Sequence, residues 1–324
     1  MGAVKLLKKY LNLFFLFSAV LFMALTAAGC AEKNNDKIKI GLLPIVDSLP
    51  FYVAAEKGYF QAEGLKVELV TFPSAVERDS AMQAREIQGS VGDILAVAAL
   101  NNSGTPTKIV SLGLGETGKE GRFAVLSSPG SGITKPEQLK NVPVAISTNS
   151  IIEYVTDNLL LEQGLSPGEI KKEAIPKIPV RYDLLMKRQI KAACLPDPLA
   201  ALAESKGANL VIDDTSSNLS QTVIYFRNDF LQKNSKTATH FLKAYAKAAK
   251  DINDNPSSYR SLLIEKANVP SEAVGVFQMD HYPTPQLPEK QQVEKVVQWM
   301  VSKGLLKSRL SYEDLTANGL IPVN

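Results

Sequence analysis

Short apolar runs alternate with helical patterns along most of this 324-residue chain, and that alternation restricts the fold more than any other feature. Strand signals at residues 38–43, 67–72 and 108–112 are separated by helical signals at 51–57 and 75–88, with a short strand near Val91. A strand followed by a helix and a parallel strand forms a βαβ unit. The pattern therefore predicts an α/β fold built on a parallel sheet.

A second series of the same kind begins at about Val142 and predicts another small sheet. Its strand signals cover residues 142–146, 190–194 and 209–212, and its helical signals cover residues 151–163 and 199–205. Beyond Phe226 the chain is mainly helical, at residues 237–252, 257–266 and 291–303. These helices are too many to stand alone, so we expect them to cover the first sheet. A chain of this length can form two lobes with separate cores.

Local signals predict where several helices begin and end. The S/T-x-x-E pattern of a capping box, which pairs a first-turn acid with the N-cap residue, occurs at residues 74–77 and 134–137. Gly58 and Gly164 follow helical patterns, and glycine commonly occupies the left-handed position that ends a helix. We therefore expect Ser74 and Thr134 to be N-caps.

The first thirty residues predict export. A basic start and an apolar block from residue 11 to 28 are typical of a secretory signal peptide, here residues 1–29. The segment ending Ala27-Ala28-Gly29-Cys30 resembles a bacterial lipobox, which implies acylation of Cys30 and a polar linker over residues 30–36. Ala27 replaces the usual large aliphatic residue, so an ordinary signal peptide or an uncleaved anchor stays an alternative. The protein is expected at the extracytoplasmic face of the cell membrane.

The charge and cysteine content exclude several classes of function. Without the three lysines of the signal peptide, the 36 basic residues fall to 33, which equals the number of acidic residues. A balanced chain has no electrostatic footprint for nucleic acid. The two cysteines are Cys30 and Cys194, and the two histidines are His240 and His281. No zinc or catalytic-histidine motif surrounds them, so we expect no metal and no cofactor, with Cys194 a buried apolar residue.

One stretch of sequence carries a family resemblance. Residues 58–69, GYFQAEGLKVEL, combine a GYF motif, an acidic EGL turn and a strand. Residues 40–54 with the Gly92-Asp93-Ile94 and Asp197-Pro198 motifs extend the similarity across most of residues 37–227. The chain resembles solute-binding proteins of ABC importers of the nitrate, sulfonate, taurine and thiamine-precursor type.

The resemblance implies a two-lobed periplasmic binding protein-like fold of type II, in which two crossover strands form the hinge. Lobe 1 would comprise residues 37–126 and 222–324, and lobe 2 residues 127–221. Residues 123–127 would lead out of lobe 1, and residues 222–226 would return to it. The expected partners are a small-molecule ligand and a membrane permease, and the expected state is a monomer.

Candidate ligand-binding residues follow the predicted strands, because open α/β sheets bind ligands beyond the carboxyl ends of their strands. They are Asp47, Ser48 and Phe51 after the first strand, Asp93 after the strand near Val91, Glu116 in the following loop, Ser147, Thr148, Asn149 and Ser150 in lobe 2, and Asp197. Asp47 and Asp93 are equally well explained as helix N-caps. The run of four polar residues is different, since one cap leaves at least two side chains free to bind a ligand. Tyr52, Tyr154, Tyr225 and Trp299 are expected mainly in the core.

Residues 113–119, GLGETGK, match G-x-G-x-x-G and nearly match the phosphate-binding motif G-x-x-x-x-G-K-[ST]. Both motifs need a helix to begin at the loop, because its N-terminus binds the phosphates. A strand-like segment follows instead, and Glu120 stands where Ser or Thr would bind magnesium. We therefore interpret these residues as a mobile loop at the mouth of a cleft.

The acidic residues Asp47, Asp93, Glu116, Glu153 and Asp197 favour a ligand with N–H groups or a positive centre, such as a nitrogen heterocycle. A sulfonate or other small anion stays an alternative, because Arg122, Arg181 or Arg227 could lie in the cleft. The leading hypothesis is a substrate-binding lipoprotein of an ABC importer and not an enzyme. The alternatives are an exported ligand sensor and an enzyme on the same fold.

Overall fold

The computed structural model describes residues 37–267 and 269–322. The predicted signal peptide, Cys30 and the linker lie outside these ranges, so export and acylation stay predictions. Within the ranges, none of the helices combines the length and the apolar character needed to cross a membrane.

The secondary structure alternates as the sequence predicts. In chain order the strands are β1 Ile38–Leu42, β2 Val67–Thr71, β3 Gly89–Asp93, β4 Thr107–Leu114, β5 Phe123–Ser127, β6 Pro143–Ile146, β7 Lys171–Ala174, β8 Ala192–Pro196, β9 Asn209–Asp213 and β10 Thr222–Arg227. The α-helices are α1 Leu49–Glu56, α2 Tyr59–Ala62, α3 Ala75–Gln83, α4 Ile94–Asn102, α5 Ile151–Glu162, α6 Ile178–Met186, α7 Leu199–Ser205, α8 Asn228–Asp254, α9 Arg260–Ala267, α10 Ser271–Val274, α11 Lys290–Ser302 and α12 Tyr312–Leu315.

The strands form two five-stranded sheets. Sheet 1 has the order β2-β1-β3-β10-β4, and sheet 2 has the order β7-β6-β8-β5-β9. Strand β1 is parallel to β2 and β3, and β6 is parallel to β7 and β8. Strand β10 is antiparallel to both of its neighbours, as is β5. Each sheet therefore combines βαβ units with one strand that runs against them.

The chain passes between the sheets twice. It leaves sheet 1 after Leu114 and enters sheet 2 at Phe123, and it leaves sheet 2 after Asp213 and returns at Thr222. We name residues 115–122 the first crossover and residues 214–221 the second crossover. Residues 123–127, expected to lead out of lobe 1, are already paired within sheet 2. The exact division of the sequence between the lobes stays a prediction.

The C-terminal helices cover sheet 1, as predicted. Helix α8 packs on α1, β4 and β10, and its Phe241 and Tyr245 lie in one apolar cluster with Phe51. Helix α11 packs on α4 through Val293, Val296 and their neighbours. Trp299 of α11 is buried and meets Tyr154 of α5 edge to face. The core prediction for these aromatic side chains is confirmed.

The predicted helix boundaries are partly right. Ser74 caps α3 by accepting a hydrogen bond from the Glu77 backbone N–H, and Gly58 and Gly164 follow helix ends with positive φ. Thr134 is not an N-cap, because the short 3₁₀ helix begins after Lys135. The prediction of a helix over residues 75–88 is too long: α3 ends at Gln83, since the Gln88 backbone N–H already bonds to Lys39 of β1.

Candidate functional site

The candidate site lies where the carboxyl ends of β1 and β3 in sheet 1 and of β6 and β8 in sheet 2 meet the two crossovers. We call this region the cleft. Asp47 follows β1 in a short 3₁₀ turn that leads into α1, and its side chain is only 7% exposed. Burial raises the pKa of Asp47 to about 6, although the adjacent Thr222 hydroxyl and Arg78 both act to lower it. A carboxyl group in this state is costly to ionise without a partner.

Asp280 is the second acidic residue of the cleft, and the sequence patterns miss it. Its Oδ1 accepts a hydrogen bond of 3.1 Å from the Gly121 backbone N–H in the first crossover. Its Oδ2 is buried and has no hydrogen-bond partner among the described residues. Burial and the nearby Asp47, Asp197 and Glu120 raise the pKa of Asp280 to about 8. The contact with Gly121 places Asp280 beside the first crossover.

The segment that carries Asp280 is irregular, and three hydrogen bonds position it. The Asn253 side chain at the end of α8 accepts from the Tyr282 backbone N–H and donates to the Tyr282 carbonyl, at 2.9 and 2.8 Å. The Tyr282 hydroxyl donates to the Val46 carbonyl at 2.7 Å. These bonds tie the segment to the turn that holds Asp47. No periodic pattern or motif in the sequence signals such an arrangement.

Other predicted residues of lobe 1 serve the fold. Ser48 donates to the Leu43 carbonyl at 2.7 Å, and Phe51 is fully buried against Phe241 and Tyr245. Asp93 caps α4 by accepting from the Ala96 backbone N–H at 2.8 Å. Their contacts with a ligand stay predictions. The cap interpretation of Asp93 agrees with its geometry.

Arg78 lies beneath β3 as a buried cation. Its Nη1 donates to the Val91 carbonyl at 3.1 Å, and Nη2 lies 2.8 Å from the Asp79 carboxylate. A Cβ atom on Gly92 would lie within 3.1 Å of three atoms of this guanidinium. Burial raises the pKa of Asp93, although the positive charge of Arg78 acts to lower it. The glycine therefore makes room for the cation that partly neutralises the acidic side of the cleft.

The segment that resembles a phosphate-binding motif, residues 113–119, spans the end of β4 and most of the first crossover, and no helix begins there. Its three glycines face the second crossover and its continuation into β10. A Cβ atom on Gly113 would lie 3.0 Å from the Thr222 hydroxyl, one on Gly115 would lie 3.1 Å from the Cα of Gln221, and one on Gly118 would overlap the Thr215 carbonyl. The motif is thus explained by close approach of two backbone segments. Glu116 accepts a hydrogen bond from Gln286 at 2.9 Å.

The polar run of lobe 2 lies after β6 as predicted. Ser150 caps α5 through the Ile152 backbone N–H, and Ser147 donates to the Pro176 carbonyl at 3.0 Å. Thr148 and Asn149 are exposed, and their side chains make no hydrogen bond within the described ranges. Asn149 has φ of 55°, in the left-handed region, and its backbone N–H donates to Glu153. Two side chains of the run are therefore uncommitted, and their role in binding stays a prediction.

Arg181 is buried beneath this run. Its Nη1 donates to Ser147 Oγ at 3.1 Å and to the Ile175 carbonyl at 2.7 Å. Nε and Nη2 are buried without a partner in the part of the chain that the structure describes. Burial lowers the pKa of Arg181 to about 10. The arginine therefore supports the strand end of Ser147 and is fully shielded from solvent in this conformation.

The other two candidate arginines are already paired. Arg122 forms two hydrogen bonds with Asp197, at 2.9 and 3.0 Å, and ion pairs with Glu204 and Asp213. Asp197 also accepts from the Ala201 backbone N–H at 3.0 Å. Arg227 pairs with Asp229. The carboxylate of Asp197 is thus engaged in the fold of lobe 2, and its contact with a ligand stays a prediction.

The sequence of the chain matches the model of the NMT1-like family over residues 31–263. That match covers well over half of the chain. The chain belongs to the NMT1-like family. A relative from Brachyspira hyodysenteriae, whose name assigns it to the periplasmic binding proteins of ABC transporters, is 25% identical over 251 residues, which cover 71% of each chain.

Solved structures show that this NMT1-like protein has the two-lobed fold of type II periplasmic binding proteins. The alkanesulfonate-binding protein SsuA from Xanthomonas axonopodis pv. citri, bound to MOPS, superposes with a TM-score of 0.73 at 16% identity, covering 86% of this chain and 96% of its own. The desulfurization enzyme DSZB superposes with a TM-score of 0.65 at 16% identity, covering 88% and 97%. At this identity the similarity concerns the fold alone.

The cysteine, the histidine and the acidic residues of this NMT1-like protein differ in what chemistry they can support. Cys194 is fully buried in β8, and burial raises the pKa of its thiol to about 11, so it is a poor nucleophile. His240 of α8 pairs with Glu63, directly after α2, at 2.6 Å. Among the described residues, His, Cys, Asp and Glu form no group of three suited to a metal ion. The uncommitted groups of the cleft are carboxyl, hydroxyl and amide groups that can hydrogen-bond a ligand.

Proposed function

We propose that the protein is the substrate-binding component of an ABC importer. It would capture a small organic molecule between its two lobes and deliver it to a membrane permease. What supports this proposal is a set of polar groups without a hydrogen-bond partner among the described residues: the Thr222 hydroxyl at the start of β10, Asp280 Oδ2 beside the first crossover, and the Thr148 and Asn149 side chains after β6. Two crossovers at the base would allow one lobe to rotate toward the other.

The Brachyspira relative and the pattern of the first thirty residues support this proposal. The Brachyspira relative is named for the same role, and SsuA of the same fold binds a small sulfonated molecule. We further propose that residues 1–29 direct export and that acylated Cys30 holds a monomer at the outer face of the membrane. The fold shared with DSZB keeps an enzyme as the alternative, but the buried thiol of Cys194 argues against nucleophilic chemistry there.

A thermal-shift screen of residues 31–324 tests the proposal. The compounds would include nitrogen heterocycles, sulfonates, nitrate and small carboxylates. A ligand at 100 times its Kd adds about 2.7 kcal/mol to the free energy of unfolding, which gives a measurable rise in Tm. Asn149→Ala should weaken binding of the compound that shifts Tm most. If no compound raises Tm, the proposal fails.

A transport assay distinguishes the importer component from a sensor. Deletion of the gene should abolish uptake of the compound that raises Tm, because a permease of this class depends on its binding protein. Unchanged uptake would favour the exported sensor. Chemical turnover of the compound by the purified protein would favour the enzyme.

A further inference from the structure

We propose that helix α8 carries a contact surface for an anionic lipid membrane. The surface consists of Lys236, Lys243, Lys247 and Lys250, which we call the lysine face. It includes none of the residues of the cleft. The choice of a membrane as the partner rests on the export and membrane anchoring that form part of the proposed function.

Charge is unevenly distributed along α8. The chain outside the predicted signal peptide has equal numbers of basic and acidic residues, but residues 230–250 contain five lysines and no acidic residue. The members of the lysine face are exposed, and their spacing of seven, four and three residues places them on one side of the helix. The opposite side, with Phe241, Leu242 and Tyr245, is buried in the apolar cluster of sheet 1. The apolar side is therefore not available to enter lipid, whereas the lysines can bind at its surface.

Three acidic residues border the lysine face, and each already has a partner. The pairs are Glu63 with His240, Asp254 with Lys250, and Asp251 with the Tyr59 hydroxyl. Lys247 lies 4.4 Å from the centre of the Tyr59 ring, which is a neutral partner. Lys236, Lys243 and Lys247 form no ion pair among residues 37–267 and 269–322. Their positive charges therefore stay available to an anionic surface.

The chain enters the fold beside the start of α8. The Lys39 backbone N–H donates to Gln88 Oε1 at 2.8 Å, and the Arg227 backbone N–H donates to the Gln88 carbonyl at 3.0 Å. Gln88 thereby joins β1 to the residue before α8, and the lysine face begins about two helical turns further on. The chain from Cys30 to Lys37 can span at most about 25 Å. An anchor at Cys30 would therefore keep the lysine face within reach of the membrane.

The shape of the lysine face suits a flat partner. Its members span about 21 Å along the helix axis, so a small anion meets only one or two of them, whereas a lipid surface meets all four. Each lysine near an anionic lipid surface strengthens binding about fivefold at physiological salt. The contact acts over about 8 Å at that salt, so it is reversible and sensitive to ionic strength. It would orient the anchored protein, while the anchor retains it.

Co-sedimentation with lipid vesicles tests the inference. Residues 31–324 lack the predicted anchor and include the compact unit that begins at Lys37. The vesicles contain either phosphatidylcholine alone or equal amounts of phosphatidylcholine and phosphatidylglycerol. We expect the anionic vesicles to bind at least tenfold more strongly than the neutral ones, and about 0.5 M NaCl to abolish the difference. Equal binding to both kinds of vesicle, or no binding to either, would overturn the inference.

Two double variants separate the lysine face from the net charge. Lys236→Gln with Lys243→Gln removes two exposed charges without an ion pair, so the variant should keep its Tm and bind anionic vesicles at least tenfold more weakly. The control Lys187→Gln with Lys191→Gln removes two exposed charges beside sheet 2 and should leave binding unchanged. An equal loss in both variants would show that the net charge causes binding, and would refute the assignment to α8.

Lysine acetylation of the natural protein gives a readout that needs no variant. With anionic vesicles present, the lysine face should react more slowly with a water-soluble reagent, while Lys187 and Lys191 should react at an unchanged rate. Mass spectrometry identifies the acetylated residues. Protection of Lys187 and Lys191 instead would overturn the inference and leave the importer proposal intact. If the lysine face is protected but no compound raises Tm in the ligand screen, the importer proposal fails and the membrane contact stands.

Discussion

Asp280 and Arg181 are charged side chains that form no ion pair within the part of the chain that the structure describes; Arg181 is fully buried, and Asp280 is partly buried with its Oδ2 atom shielded from solvent. Each is held by neutral groups: Asp280 by the Gly121 N–H, and Arg181 by Ser147 Oγ and the Ile175 carbonyl. Such groups shift their pKa toward the neutral form, which is the direction found for both. They destabilise the free protein, and a ligand can recover part of that free energy.

The pH dependence of stability should reveal Asp280. The pKa of its carboxyl group is about 8 in the folded protein, and the ordinary value of 3.8 applies to the unfolded chain. Between pH 3.8 and about 8 the folded protein therefore keeps a proton that the unfolded chain releases. The contribution of Asp280 to stability therefore falls as pH rises from about 4 to 8. Asp280→Asn removes this pH-dependent contribution. The difference in Tm between the variant and the natural protein should therefore shift in favour of the variant as pH rises over this range. Parallel Tm curves would contradict the assignment.

Arg122 should matter for stability. It is 16% exposed and neutralises Asp197, Glu204 and Asp213 together. Arg122→Met leaves three carboxylates without their cation, and we expect a loss of about 3 kcal/mol in the free energy of unfolding. Urea unfolding measures the loss. Arg85→Met is the control, because Arg85 is 74% exposed and its pair with Asp229 should contribute less than about 0.5 kcal/mol.

At the scale of elements, the first crossover is the segment whose sequence is most misleading. Gly113 at the end of β4 and Gly115 and Gly118 of this crossover match a nucleotide-binding pattern, yet they allow close approach to residues 214–222. Gln221 and Asn218 both donate to the Gly115 carbonyl, at 2.9 and 3.1 Å. The two crossovers are therefore bonded to each other and should move as one unit when the lobes rotate.

Gly118→Ala tests this contact. The new methyl group would overlap the backbone carbonyl of Thr215, which cannot rotate away as a flexible side chain could. We expect a loss of about 1–3 kcal/mol in the free energy of unfolding, measured by urea denaturation. Gly168→Ala is the matched control, because Gly168 has open space around its Cα, and it should change stability by less than about 0.5 kcal/mol. Equal effects of both substitutions would refute the close approach.

The sequence predicts regular elements well and the base of the cleft poorly. Strands and helices are predicted because the alternation of apolar residues is local, and βαβ order correctly places the polar run at the end of β6. Asp280 could not be predicted, because it depends on bonds from Asn253 and Tyr282 that join segments far apart in sequence. Helix α3 ends early for a similar reason, since pairing with β1 begins at Gln88.

On the scale of the whole molecule, helices connect the lobes at two places besides the crossovers. Lys303, directly after α11, pairs with Asp157 of α5, next to the contact between Trp299 and Tyr154. Lys206, directly after α7, pairs with Glu272 of α10. Leu202 of α7 also packs in the apolar cluster of sheet 1. These contacts hold the lobes in the arrangement seen here.

Lys206→Glu should shift the lobes apart. It places two carboxylates together across the lobes, at a cost of up to about 1 kcal/mol, or about a fivefold change in the ratio of closed to open molecules. Small-angle X-ray scattering of the ligand-free protein should show a larger radius of gyration. Lys250→Glu creates a similar repulsion with Asp254 within α8 and should leave the radius unchanged. No difference between the two variants would show that this pair does not restrain the lobes.

The strand register beside the two crossovers shows how one sheet is inserted, in sequence, between two neighbouring strands of the other. Leu114 and Thr222 are neighbours in sheet 1, and Ala124 and Asp213 are neighbours in sheet 2. A tight turn could therefore join Leu114 directly to Thr222 and convert β4 and β10 into an ordinary hairpin. Residues 123–213 would then be a contiguous cassette with adjacent ends. Topologically, sheet 2 and the helices between its strands are an insertion in a hairpin of sheet 1.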